Sequence, residues 1–315
     1  MKAPKILHPE PAGFAKAADL LGSGQLVAFP TETVYGLGAD ARNGRAVAAI
    51  YEAKGRPSFN PLIVHLPDVA AAQAYVAWSD TADRLAQAFW PGPLTLVLPL
   101  LPEHGLSSLV TAGLPTVALR VPAQKSAQAL LRAFGGPVAA PSANPSGRIS
   151  PTTAAHVMAG LGDKVSAILD DGPCLVGLES TIVGLAEAPL LLRAGGLPIE
   201  IIEVALGTAL AEAETPRDPK RVRAPGQLAS HYAPNAPLRM NATAKRIGEV
   251  FLGFGAMACD LNLSENADLH EAAARLFESL HQLDAKGLPI AVAPIPDHGL
   301  GRAINDRLAR AAAPR

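Results

Sequence analysis

Apolar residues along this chain fall into short runs separated by longer stretches of helical periodicity. Residues 25–29, 62–66, 95–98, 116–121 and 138–140 are short, mostly apolar runs that read as strands, the first as a buried one. Between them, residues 45–53 place Val47, Ile50 and Tyr51 on one side of a helix. Residues 80–89 read as a helix capped by Ser79 or Asp80, and 126–134 as another. Ser150-Pro151-Thr152 combines a capping side chain with Pro at a first helical position, which predicts a helix from there to about Leu161. Strands follow at 167–169, 181–185 and 190–192. The elements intermix without a strict βαβ repeat, so the pattern predicts an α/β fold with a mixed, twisted sheet and helices on its faces.

The periodicity stops near Glu214. Residues 214–237 are rich in Pro, Arg and Lys and read as a linker. Beyond it, 268–283 is amphipathic, with Leu269, Ala273, Leu276, Phe277, Leu280 and Leu283 on one stripe, and Asp268 and Glu271 have capping-box spacing. Residues 290–295 read as a strand and 302–312 as a last helix. Three units result: a larger domain at 1–213, a linker at 214–237 and a small α/β domain at 238–315. The length of 315 residues agrees, at about 100–200 residues per domain.

Composition narrows the classes. Hydrophobic residues make up 49% and aromatics only 4%, so the core is built from aliphatic side chains. A formal net charge of -1 supplies no global field for a long nucleic acid and favours local recognition of a small charged ligand. Cys174 and Cys259 lack CxxC spacing and read as free thiols rather than zinc ligands or a disulfide scaffold. Residues 1–11 show no signal-peptide pattern, and the longest apolar stretch, 94–101, is broken by Pro99 and is too short to span a bilayer, so a cytoplasmic protein without membrane contact is expected.

P-loop, GxGxxG, HExxH and GxSxG signatures are absent. Four clusters carry candidate chemistry instead. Pro30-Thr31-Glu32-Thr33-Val34-Tyr35-Gly36-Leu37-Gly38 sets hydroxyls and a carboxylate at the carboxyl end of a strand, either as a plain polar turn or as a ligand loop. Lys54-Gly55-Arg56-Pro57, with Asn60-Pro61 after it, offers two cations to one polyanion, or is a solvated loop. His65 ends a strand, where a histidine serves structure or function. Pro141-Ser142-Ala143-Asn144-Pro145-Ser146-Gly147 follows another strand and leads to Thr152, whose predicted helix start presents free N–H groups to a phosphate; its alternative is a Ser/Asn turn.

Taken in order, Pro30 to Gly38, Lys54-Gly-Arg-Pro57, Asn60-Pro-Leu-Ile-Val-His65 and Ser142-Ala-Asn144 resemble the YrdC-like domain of threonylcarbamoyl-AMP synthases. The likeness runs from about residue 10 to 205 and continues through Ala224-Pro-Gly226 and His231-Tyr-Ala-Pro234, which look like the linker of the longer, two-domain form. The resemblance implies a YrdC-like twisted sheet and an enzyme that condenses L-threonine, bicarbonate or carbon dioxide, and ATP into L-threonylcarbamoyladenylate with release of pyrophosphate, for modification of tRNA. It implies that Thr33, His65, Arg120, Ser142 and Ser180 contact threonine, that Arg56, Asn60, Thr116, Asn144, Thr152 and Arg193 hold ATP, that Lys54 and Arg56 serve catalysis beside the phosphates, and that His231 and Tyr232 fold over the nucleotide. It also implies Mg2+ accompanying ATP without a protein metal cage, and a downstream tRNA threonylcarbamoyl transferase that accepts the product. Gln227-Leu-Ala-Ser230 departs from the basic or aromatic residues of many relatives, and Pro145 stands at a variable position.

Two rivals remain open at this point. An RNA-binding module would use the local charge of Lys54, Arg56, Arg120, Arg148 and Arg193, although no stable nucleic-acid binding is expected at this net charge. A carbamoyl-transfer enzyme of hydrogenase maturation would need zinc-finger cysteines, which two cysteines do not provide.

Overall fold

The computed structural model of the protein describes residues 3–213, 224–227 and 230–314. Of the expected linker, residues 214–223 and 228–229 lie outside the described residues.

Among the described residues, eleven strands form one sheet: β1 (Lys5–Leu7), β2 (Val27–Pro30), β3 (Tyr35–Asp40), β4 (Ile63–His65), β5 (Leu94–Pro99), β6 (Thr116–Arg120), β7 (Val138–Ala139), β8 (Ala167–Leu169), β9 (Thr181–Gly184), β10 (Leu190–Arg193) and β11 (Ala211–Glu212). Their order is β1-β8-β2-β3-β7-β4-β6-β5-β9-β10-β11, with parallel and antiparallel neighbours mixed as the sequence predicts. The helices are α1 (Pro11–Gly22), α2 (Gly44–Lys54), α3 (Val69–Gln73), α4 (Asp80–Phe89), α5 (Ser108–Thr111), α6 (Lys125–Phe134), α7 (Ala154–Leu161) and α8 (Ile199–Leu206).

Strand parity sorts the side chains into layers. Val64, Val117, Leu119 and Val183 enter the core shared with α2, α4 and α8. Their neighbours Ile63, Ala118 and Ile182 face the other way, with Val97 and Leu192. On that second face α1 and α6 cover only the β8-β2 side, packing on Val27, Phe29 and Leu169. The surface over β4, β6, β5 and β9 is thereby left to loops, and the site forms there.

A second sheet, β12 (Leu238–Arg239), β13 (Val250–Gly253), β14 (Leu261–Asn262) and β15 (Ile290–Val292), is parallel throughout in the order β12-β15-β13-β14. α9 (Leu269–Asp284) and α10 (Leu300–Ala312) pack on it through Leu276, Phe277, Leu280, Ile304 and Leu308. Tyr232, Val34, Ile149 and Leu178 belong to the same cluster, so the smaller unit packs against loops of the larger one.

Two local expectations are corrected. Ser150-Pro151-Thr152 does not start a helix: Ser150 turns its hydroxyl to the Glu179 carboxylate at 2.5 Å, and Thr153 caps α7 by accepting from His156 N–H. Asp268 caps α9, accepting from the N–H groups of His270 and Glu271, but the capping box is incomplete. Glu271 binds the Ser264 hydroxyl instead, and Ser264 Oγ takes the Asp268 N–H.

The two units also meet through histidines. His156 on α7 and His281 on α9 stack with ring centroids 3.8 Å apart. Thr152 N–H faces His156 Nδ1 at 3.3 Å, which leaves the ring proton on Nε2, 3.1 Å from the Glu278 carboxylate. Burial, with the adjoining His281 ring second, lowers His156 to about 4, and burial lowers His281 as well. An unfolded chain protonates its histidines near pH 6.5 whereas the folded one resists, so this contribution is complete above about pH 6.5 and is lost as pH falls. The urea midpoint is expected to drop between about pH 7 and pH 5, and to drop less in His156→Gln. Equal drops in parent and variant would locate the acid sensitivity elsewhere.

Candidate active site

The turn after β2 is organised by threonine hydroxyls. Thr31 donates to the Val34 carbonyl at 2.7 Å and accepts the Thr33 and Val34 N–H groups. Its proton is therefore committed, and the 2.7 Å contact between the two hydroxyls has Thr33 as donor. Thr33 Oγ1 in turn accepts from Arg120 Nη1 at 2.8 Å. Arg120, buried at the end of β6, also donates to Glu32 at 2.7 Å, and the second Glu32 oxygen takes the Ala123 N–H. Arg120 lies in register with His65 on the adjacent strand. Burial first, then the nearby Arg120 charge, lowers His65 to about 3, so its imidazole is neutral.

A second group of cations is built differently. Lys54 ends α2, and Gly55 at φ 61 supplies the left-handed turn that sends Arg56 back beneath the loop. Both side chains are buried, so of the two alternatives offered by the sequence the solvated loop does not hold. Lys54 Nζ donates to the carbonyls of Ser142 and Asn144, both at 2.5 Å. Arg56 donates to Asn60 Oδ1 at 2.7 Å and to the Pro61 carbonyl at 2.8 Å. Arg193, also buried, donates to the Ser180 carbonyl at 2.8 Å and the Pro225 carbonyl at 3.2 Å. Among the described residues none of these three forms an ion pair with a carboxylate, in contrast to Arg120 with Glu32 and Arg307 with Glu179. Burial, then the neighbouring Arg56 charge, pushes Lys54 well below its usual value, and burial lowers Arg56 to about 10.

One pocket collects most of the expected residues: Thr33, Arg56, His65, Arg120, Ser142, Ser180, Arg193, His231 and Tyr232 all line it. Lys54, Asn60 and Asn144 stand behind this wall, joined to it through Ser142 and Arg56. Thr116 is not in the lining; it shares the Arg120 face of β6 two side chains away, with Ala118 between. Thr152 is also outside the lining, with its N–H and hydroxyl both directed at His156. The lining further contains Thr31 and Glu179, and Glu32 holds Arg120 from behind; Thr31 and Glu32 lie in the candidate ligand loop, but none of the three was assigned a ligand contact from sequence. Their signal was proximity to motif residues, since Glu179 precedes Ser180 and Glu32 lies between the two threonines.

The linker closes this pocket. Gly226 has φ 87, and a Cβ there would lie 2.8 Å from both Arg193 Cδ and Tyr232 Oη, so the close approach requires glycine. Gln227 bridges the Ala224 N–H and the Leu192 carbonyl. Tyr232 adopts φ 60, stacks on Phe277 at 5.8 Å and lies under the Arg307 guanidinium at 4.9 Å. Ala233 N–H binds the Gly147 carbonyl at 2.8 Å, and His231 N–H the Arg310 carbonyl at 3.2 Å. Burial, then Arg56, Lys54 and Arg193, pushes His231 far down, so it too is neutral. His65 Nδ1, His231 Nδ1 and Tyr232 Oη are buried without a hydrogen-bond partner among the described residues, and all three residues line the pocket. Such atoms need a polar ligand or water, because an unmet buried polar group costs about 1–3 kcal/mol.

Uncompensated cations, neutral imidazoles and hydroxyls on the open face of a mixed sheet, with linker residues over them, define an α/β protein with a pocket suited to an anion. Comparison with known proteins narrows the class. A family model described as "Telomere recombination", covering Sua5, YciO and YrdC, matches residues 19–195, and one described as "Threonylcarbamoyl-AMP synthase, C-terminal domain" matches 198–313. The chain is 42% identical to threonylcarbamoyl-AMP synthase of Bacillus subtilis, covering 96% of this chain and 93% of that protein. It is 39% identical to the Pyrococcus abyssi protein of the same name, covering 94% and 92%. The crystal structure of P. abyssi Sua5 complexed with L-threonine superposes with a TM-score of 0.90 at 36% identity, covering 99% of this chain and 98% of that one. The chain belongs to the threonylcarbamoyl-AMP synthase family.

If Lys54, Arg56 and Arg193 await a polyanion, inorganic tripolyphosphate should raise the thermal midpoint, by about 2.7 kcal/mol of stability at 100 times its Kd. The gain should shrink at high salt and be mostly lost in Arg56→Met. Either no shift in the parent, or an equal shift in Arg56→Met, would show that these cations only hold loops together.

Proposed function

We propose that the protein is an L-threonylcarbamoyladenylate synthase, using L-threonine, bicarbonate or carbon dioxide, and ATP, and releasing pyrophosphate. The observation that carries this reading is the buried Arg56 and Arg193 pair, unpaired with carboxylates, in one pocket with the Arg120–Thr33 pair and the neutral His65, and backed by Lys54 behind the Ser142 wall. The P. abyssi relative bound to L-threonine supports the amino-acid half of it.

In this reading the triphosphate meets Arg56 and Arg193, with Lys54 and Asn144 behind them and Asn60 fixing Arg56. The adenine base lies on the apolar face of Ile63, Ala118, Ile182 and Leu192, now packed against Ala224, with Thr116 at its rim. A contact from Thr152 would require His156 to give up its bond. Threonine lies between Arg120 and Thr33 on one side and Ser142, His65 and Ser180 on the other. Its amine nitrogen forms a bond to the carbon of carbon dioxide and sheds a proton, giving a carbamate. A carbamate oxygen then bonds to the α-phosphorus as the bond to the bridging oxygen breaks, and that oxygen leaves with pyrophosphate. The protein contributes position and positive charge, not a covalent intermediate. Closure by His231 and Tyr232 keeps water from the carbamate and the mixed anhydride.

Mg2+ does not fit here as a resident metal. Both oxygens of Glu32 and of Glu179 are already bonded, and no group of three or more His, Cys, Asp or Glu among the described residues could hold an ion. Magnesium would enter as the counter-ion of the triphosphate. No helix among the described residues is long and apolar enough to cross a membrane, and the reading places the protein in the cytoplasm, handing its product to a tRNA threonylcarbamoyl transferase.

The decisive assay supplies ATP, threonine and labelled bicarbonate without RNA and looks by mass for a labelled adenylate together with pyrophosphate. An RNA-dependent or absent signal would favour an RNA-binding module. Selectivity gives a second check. A site that pairs the substrate hydroxyl with Thr33, His65, Ser142 or Ser180 should reject valine by a large factor, whereas serine loses only a methyl contact of about 1 kcal/mol. Equal turnover of valine and threonine would refute this arrangement.

A further inference from the structure

Arg307 on α10 has no exposed surface, yet it carries a charge and comes from the smaller unit. Its Nε donates to Glu179 Oε2 at 2.8 Å, and its Nη1 to Asp306 at 2.7 Å. Its guanidinium lies over the Tyr232 ring, which also stacks on Phe277 of α9 and meets the His231 ring edge-on. Nη2 is buried without a hydrogen-bond partner among the described residues. Glu179, which lines the pocket, has its other oxygen bound by the Ser150 hydroxyl, so its carboxylate is clamped at both ends. The next residue, Ser180, supplies the carbonyl and hydroxyl that receive Arg193.

We propose that Arg307 is a positioning residue of the active site: one guanidinium from the last helix fixes both the lid tyrosine and the pocket carboxylate Glu179, so that docking of the smaller unit and closure of the lid are a single event. The inference rests on the reading of His231 and Tyr232 as a lid. Arg307 touches no substrate and acts through these two side chains. Tyr232 needs such support because a tyrosine at φ 60 is in an unfavourable backbone region, and an aromatic ring between Phe277 and a guanidinium is held there by packing and cation–π attraction. Glu179 needs it because an isolated buried carboxylate takes up a proton. The charged and titratable groups around Glu179 are Arg307 and Asp306 from α10, Arg193 from β10, Lys54 from α2 and Tyr232 from the lid. Burial alone would raise the Glu179 carboxyl; Arg307, then Arg193 and the Ser150 bond, outweigh it and hold the group below its usual range.

The test uses the full chain carrying Arg307→Met, Arg307→Lys or Arg307→Met with Glu179→Gln. Hydrogen exchange over residues 230–236, with and without tripolyphosphate, reads the lid; the pH profile of adenylate formation reads Glu179. Arg307→Met should speed exchange at Tyr232 by about tenfold or more and move the acid limb of the profile to higher pH, because Glu179 then protonates more easily. Arg307→Lys keeps a charge without the planar stack; it should restore the acid limb but not the protection of Tyr232. The double variant should fold better than Arg307→Met, having lost the stranded charge, and still leave Tyr232 unprotected. Parent-level protection of Tyr232 in Arg307→Lys and in the double variant would overturn the proposal, whether or not Arg307→Met folds. So would an acid limb unmoved in a folded Arg307→Met. If the parent forms no adenylate, the enzymatic reading falls, and the exchange measurement still decides the role of Arg307.

Discussion

Burying a cation without a counter-ion costs several kcal/mol, and this protein does so at Lys54, Arg56 and Arg193 within one site. Carbonyl dipoles from Ser142, Asn144, Pro61, Ser180 and Pro225 repay part of that cost by pointing their negative ends at the charges. Most of those carbonyls belong to loops, which must be held rigid for the dipoles to stay aligned. The large sheet does this by giving each loop a neighbouring strand end: β4 and β6 in register at His65 and Arg120, and β9 and β10 around Ser180 and Arg193. What the carbonyls do not neutralise remains as a local positive potential on a chain whose net charge is -1. That mismatch is what a polyanion would draw on, and it is not visible in the overall charge.

Other buried charges are handled in the opposite way. Arg120 has Glu32, and Arg307 has Glu179. The paired ones set geometry, and the unpaired ones leave attraction for a ligand. Arg120 shows how the two uses meet: its pairing with Glu32 fixes the guanidinium, and the Thr33 hydroxyl it engages faces the pocket.

Legibility in the sequence followed the range of the interactions. Asp80–Phe89 was readable to the residue because its cap, Ser79, and its apolar stripe are local. α1 escaped because Glu10 gives no side-chain cap and its buried face is made of Gly13, Ala17, Leu20 and Leu21, a weak periodic signal. β3 escaped because Gly36 and Gly38 interrupt the apolar pattern, the second being needed where a Cβ would lie 2.9 Å from Phe29. The pocket residues were recognisable as motifs, since Thr33, His65, Arg120, Ser142, Ser180 and Arg193 sit at or within a few positions of a strand end and Arg56 follows the end of α2. Their burial was not. Lys54-Gly55-Arg56-Pro57 has the composition of a solvated loop, and only the tertiary packing of residues 142–148 over it removes the water. The pairing of Glu179 with Arg307 spans 128 positions and two units, beyond the reach of any spacing rule.

That long-range pair also bears on why a second unit exists. Among the described residues the small parallel sheet presents no catalytic cluster, and besides its contacts with α7, α8 and β11 it grips the lid and the loops beneath it. Phe277 and Arg307 sandwich Tyr232, the Arg310 carbonyl holds the His231 N–H, Asp284 takes Asn235 and Ala236, and His281 reaches the Ser150 carbonyl. A covering segment tied only to its own loop would have to order itself anew at each closure, losing about 1–2 kcal/mol per backbone residue. Fastened to a folded unit, as residues 231–236 are, a lid would be ordered before a ligand arrives, and closure would become the docking of two preformed surfaces. The strained backbone of Tyr232 is tolerable on those terms, because the energy that holds it comes from the packed unit and not from the nucleotide.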